Sequence, residues 1–124
     1  MREIKFRAWD KDNKLMCGIN GIYQGVYEPD KLEFDIFNEK TGYQIYHVLQ
    51  DEDIKVMQFT GLLDKNDKEI YEGDIVTEDD EIGLVRYGDG MFYAFNYGFE
   101  HAILSSPKDL EVIGNKFENP ELLE

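Results

Sequence analysis

The chain has 124 residues, 42% of them hydrophobic, with 13 basic and 27 acidic side chains and a formal net charge of −14. A chain of this length buries roughly two-thirds of its unfolded surface, which argues against disorder and against a pair of independent domains. The charge opposes attraction to nucleic acid or anionic lipid, both of which require positive charge. The longest apolar run, Met91 to Phe95, is far short of the ~20 residues that span a bilayer. No apolar stretch follows Met1-Arg2-Glu3-Ile4-Lys5, so no signal peptide is expected and a cytoplasmic, reducing compartment is the default. Cys17 is the single cysteine, which excludes an internal disulfide and a multi-cysteine metal cage.

Three Ala stand against 11 Ile, 6 Val, 8 Phe and 8 Tyr, a bias toward pleated, half-buried strands. Ile4, Phe6 and Ala8 alternate with Lys5, Arg7 and Trp9, which predicts a first strand. The polar run from Asp10 to Lys14 turns the chain, and a segment holding Gly18, Gly21 and Gly25 has no definable strand limits. Leu32, Phe34 and Ile36 form the clearest period-two stretch, and Asn38 to Gly42 reads as a turn. The returning strand carries Tyr43, Ile45, His47 and Leu49, although Tyr46, Leu49 and Gln50 also fit a short helix. Asp51-Glu52-Asp53 marks a boundary between two halves. Further strands are expected over Ile54 to Thr60, Ile70 to Val76 with a break at Gly73, Ile82 to Tyr87, Met91 to Tyr97, His101 to Leu104 and Leu110 to Phe117. Several short strands with tight turns describe a small barrel better than a sandwich.

Three stretches carry a resemblance. Lys5-Phe6-Arg7-Ala8-Trp9-Asp10 opens the chain. Gln58-Phe59-Thr60-Gly61-Leu62, Asp64-Lys65-Asn66 and Glu69-Ile70-Tyr71-Glu72-Gly73-Asp74-Ile75-Val76 occupy the middle. Val112-Ile113-Gly114-Asn115 and Glu118-Asn119-Pro120-Glu121-Leu122-Leu123 close it. In order and spacing the chain resembles the YopX family, small proteins found mainly in bacteriophage and prophage genomes. Leu63 and Asp67 depart from that family's Lys and Gly. The resemblance implies a mainly β fold, with an SH3-like small barrel over 54–118, an N-terminal β segment over 1–53 packed on it, and a tail over 119–124. It implies no catalytic residues. On their own chemistry the matched residues read as architecture, with Gly61 and Gly73 permitting special backbone and Asp74 buttressing a turn.

No residue set points to catalysis, a cofactor or a metal. Asp10 and Asp64 each begin a calcium-loop-like pattern, but its sixth and twelfth positions are wrong. Glu78-Asp79-Asp80-Glu81 reads as a solvated loop, and His47 as a hydrogen-bonded core residue. Candidate interaction residues are Arg7 and Trp9 on a locally basic first strand, and Tyr87, Phe92, Tyr93, Tyr97 and Phe99 around one hairpin, with Phe95 among them. Aromatics on alternating faces crowd one small core, which suggests a peptide groove or a subunit interface, with core-only packing as the equal alternative. The expected function is that of a non-catalytic phage accessory protein that binds another protein and self-associates. Alternatives are an acidic nucleic-acid mimic that captures a basic host protein and, against the net charge, a nucleic-acid-binding barrel. A metal-dependent hydrolase ranks last.

Overall fold

The computed structural model describes residues 4–25, 27–49, 53–88, 90–96, 99–101 and 107–123. Eleven strands lie among them: β1 (Phe6–Asp10), β2 (Leu15–Gln24), β3 (Leu32–Asn38), β4 (Tyr43–Leu49), β5 (Ile54–Leu63), β6 (Glu69–Tyr71), β7 (Asp74–Glu78), β8 (Glu81–Gly88), β9 (Met91–Asn96), β10 (Phe99–His101) and β11 (Glu111–Asn115). Two short 3-10 helices, Pro107–Asp109 and Pro120–Leu123, complete the elements. One antiparallel sheet has the order β4-β3-β2-β1-β5-β6, the other β10-β9-β8-β7-β11. Among the described residues neither sheet closes on itself, and the strands of residues 54–118 are divided between the two. Among the described residues no helix is long and apolar enough to cross a membrane.

The chain divides into two compact units, Lys5–Met57 and Gln58–Glu124 with Met1–Ile4. In the first, Ala8, Cys17, Phe34, Ile36 and Ile54 form the buried core, with Ile45 and Val48 packed against it. In the second, the core is Ile70, Val76, Val85, Phe92, Ala94, Leu110 and Val112. Each large aliphatic side chain buried this way stabilises its unit by roughly 1.5–3 kcal/mol before the entropy of ordering it.

Local chemistry explains where strands stop. Gly73 adopts φ 89°, a conformation that costs a side chain, and separates β6 from β7. Beside it Asp74 accepts the Tyr71 N–H at 2.7 Å, the buttress expected there. The last strand ends at Asn115, whose side-chain oxygen accepts the N–H groups of Phe117 and Glu118. Residues 116–118 are a turn rather than the continuing strand the periodicity predicts. Residues 43–49 are strand, not helix. Of the strand expected over His101 to Leu104, His101 ends β10, and residues 102–106 lie outside the described residues.

Candidate functional site

Strands β2, β3 and β4, of 10, 7 and 7 residues, contain no Lys or Arg. Their only acidic residues, Glu33 and Asp35, stand two apart on β3. Alternation therefore puts both carboxylates on one face, opposite the buried Phe34 and Ile36.

Two bulges shape this face. The β2–β3 register shifts between Ile19 and Gly21, leaving Asn20 extra. The β3–β4 register shifts between Phe34 and Ile36, so Tyr46 and His47 together oppose Asp35. Ile45 and Val48 consequently share the core side, and His47 leaves it. The expectation of a core histidine is corrected here: its side chain is 54% exposed. Simple alternation with Ile45 and Leu49 fails because the bulge inserts one residue between them.

Four side chains meet at the bulge. His47, at φ 54°, donates its backbone N–H to Asp35 Oδ1 at 2.9 Å. The Tyr23 hydroxyl donates to Asp35 Oδ2 at 2.7 Å. His47 Nδ1 lies 3.0 Å from Glu33 Oε2, and the Tyr23 and His47 rings are 4.5 Å apart between centroids. Gly21 makes room for this, since a Cβ there would come 2.5 Å from the Tyr23 hydroxyl. The His47 N–H and then the Tyr23 hydroxyl hold the Asp35 carboxyl below the usual carboxylate range. The bond to Asp35, ahead of burial, pushes the Tyr23 phenol up.

Tyr23 is committed to Asp35, and Cys17 lies buried, its thiol pushed up to about 11 by burial and then by the charge of Asp10. Among the described residues no three His, Cys, Asp or Glu side chains gather to hold a metal ion.

The residues singled out from sequence are placed as follows. Trp9 is buried, and Arg7 is half-buried with a guanidinium nitrogen 3.8 Å from the Met57 sulfur. Both belong to the Lys5–Met57 unit, whereas the hairpin aromatics belong to the other. Phe92 is a core residue, and Tyr87 is 55% exposed with its ring edge-on to Phe92 at 4.9 Å. Tyr93 and Phe95 are half-buried, with Arg86 5.3 Å from the Phe95 ring. Tyr97 and the Phe99 side chain lie outside the described residues. Sequence reasoning missed Tyr23, Glu33 and Asp35, for which the available signal was the lack of any basic residue across three successive strands.

The family model for YopX protein matches residues 5–124. The chain belongs to the YopX family. Two solved structures are similar over 100% of both chains. A crystal structure of protein EF1440 from Enterococcus faecalis has 28% identity and a TM-score of 0.59. An X-ray structure of protein yopX from Bacillus subtilis has 23% identity and a TM-score of 0.64. No curated protein matches. The YopX family has no established catalytic activity.

Proposed function

We propose that this YopX-family chain is a non-catalytic phage or prophage accessory protein, acting in the host cytoplasm by binding another protein and by self-association. One observation carries the reading. Among the described residues no strand pairs with the outer edge of β4, which carries no Lys, Arg, Asp or Glu and exposes Tyr46 at 65%, while Leu32 on β3 at 49% and Ile22 on β2 at 47% are exposed on the neighbouring strands. A long apolar edge strand is a template for pairing with another chain. In the same reading, residues 54–118 represent the SH3-like part of the molecule. Light scattering across a concentration series tests self-association, with a mass rising above the 14.5 kDa of one chain as the supporting result. A monomer at every concentration, with no partner retained on the immobilised protein, would sink the reading.

A second reading, the acidic mimic, draws support from how charge is distributed. Residues 5–57 carry 7 basic and 10 acidic side chains, whereas residues 1–4 and 58–124 carry 6 and 17. The Gln58–Glu124 unit with Met1–Ile4 thus holds −11 of the −14. Capture of a basic protein by this unit would weaken steeply from roughly 50 to 500 mM salt, and insensitivity over that range would reject it.

A further inference from the structure

We propose that the face of β2–β3–β4 bearing Tyr23, Glu33, Asp35 and His47 docks an extended basic segment of a partner protein. In this arrangement an Arg or Lys head meets the Glu33 carboxylate and the Tyr23–His47 rings, and the segment's backbone pairs along β4. The inference rests on the protein-binding reading above and names the chemistry of the partner.

Charge complementarity selects the occupant. The two carboxylates stand on one face of three strands that supply no Lys or Arg, and the Glu33 side chain, 12% exposed, lies against His47. Asp35 is buried and committed to the His47 N–H and the Tyr23 hydroxyl, hydrogen bonds that favour its charged form. Glu33 contacts the imidazole through Oε2. Aromatic faces beside carboxylates attract guanidinium and ammonium groups, and Arg also matches a carboxylate in two-pronged fashion. Tyr46, at 65% exposed, extends the aromatic surface along the edge where an added strand would lie. The same face of a second copy does not supply the cation, since its β2, β3 and β4 strands contain no Lys or Arg.

The test uses the full chain, isotope-labelled, and two capped peptides. One is Thr-Val-Thr-Arg-Thr-Val-Thr, and the other has Glu in place of Arg. The Arg peptide is expected to bind by calorimetry and to shift the amide signals of β3 and β4, while the Glu peptide does neither. Glu33→Gln is expected to weaken binding about tenfold. Tyr46→Ser, at a position too exposed to threaten folding, is expected to weaken it several-fold. Circular dichroism verifies that both variants are folded. Equal binding of the two peptides, shifts confined to residues 58–124, no binding of the Arg peptide, or unaltered affinity in both variants would each overturn the proposal. Light scattering on the same variants separates the two ideas. Self-association that persists while the Arg peptide fails leaves the broader reading standing. Self-association lost in both variants, with the Arg peptide unbound, would make this face a contact between copies instead.

Discussion

Asp64 and Val112 are 48 residues apart, yet Asp64 Oδ2 accepts the Val112 N–H at 2.8 Å from a fully buried position. The other carboxylate oxygen accepts the N–H groups of Asn66 at 2.8 Å and Lys68 at 2.9 Å. One side chain therefore closes the Asp64–Lys68 turn and ties it to β11. The residue that begins a failed calcium pattern is a structural hub.

Asp64→Asn should be strongly destabilising. An amide must turn its NH2 toward at least one of these N–H donors, leaving buried donors unsatisfied. The expected cost is about 2–4 kcal/mol, read as a lower urea midpoint with an unchanged slope. A loss below about 0.5 kcal/mol would contradict the hub role.

Acid should unfold the protein partly through Asp64 and Asp10. Burial alone would raise both carboxyls, but hydrogen bonds outweigh it and hold each below its ordinary value. For Asp64 these come from the Val112, Lys68 and Asn66 N–H groups, and for Asp10 from Asn13, Tyr43 and the Asp12 backbone. The unfolded chain thus binds these protons more readily than the folded one. Their stabilisation is present above the unfolded value of about 3.9 and is lost as pH falls through the folded values. Urea unfolding between neutral pH and about pH 3 should show stability falling, less steeply in Asp64→Asn.

Gly73→Ala should cost about 1–2 kcal/mol, because φ at this position is 89° and a Cβ is strained there. The backbone cannot relax freely, since Gly73 donates to the Val85 carbonyl and accepts from Lys116, both at 2.9 Å. Gly42→Ala is the useful comparison. It has φ 75°, but a Cβ there meets nothing within 4 Å, and the turn is exposed, so its melting temperature should fall less.

Thr60→Val tests a buried hydroxyl. Thr60 donates to the Ile70 carbonyl at 2.7 Å, and its oxygen accepts the Leu62 N–H at 3.2 Å. Valine keeps the shape and removes both bonds, so a loss of about 1–2 kcal/mol is expected in denaturant unfolding.

Much of the strand content was readable from local pattern. The alternation of Leu32, Phe34 and Ile36, the paired strands within 82–88 and 91–96, and the break at Gly73 all reflect period-two burial or a backbone that disfavours side chains. The face bearing Tyr23, Asp35 and His47 was not readable. It depends on two bulges, and a bulge changes which side of the sheet every later residue occupies without leaving a mark in the alternation itself. Alternation alone puts His47 on the core side for that reason, and it does not reveal that Phe92 and Trp9 are buried, because exposure is a property of what packs around them.

By itself, then, the amino-acid sequence determined the β character, the turns and the strong net negative charge, since these follow from side-chain shape, backbone preference and ionisation close to each residue. Only the tertiary structure decided strand order, with β1 between β2 and β5, the joining of Asp64 to Val112, and the meeting of Tyr23, Glu33, Asp35 and His47. Those outcomes depend on register between strands distant in the chain, which is set by the packing of whole sheets and not by neighbours in sequence.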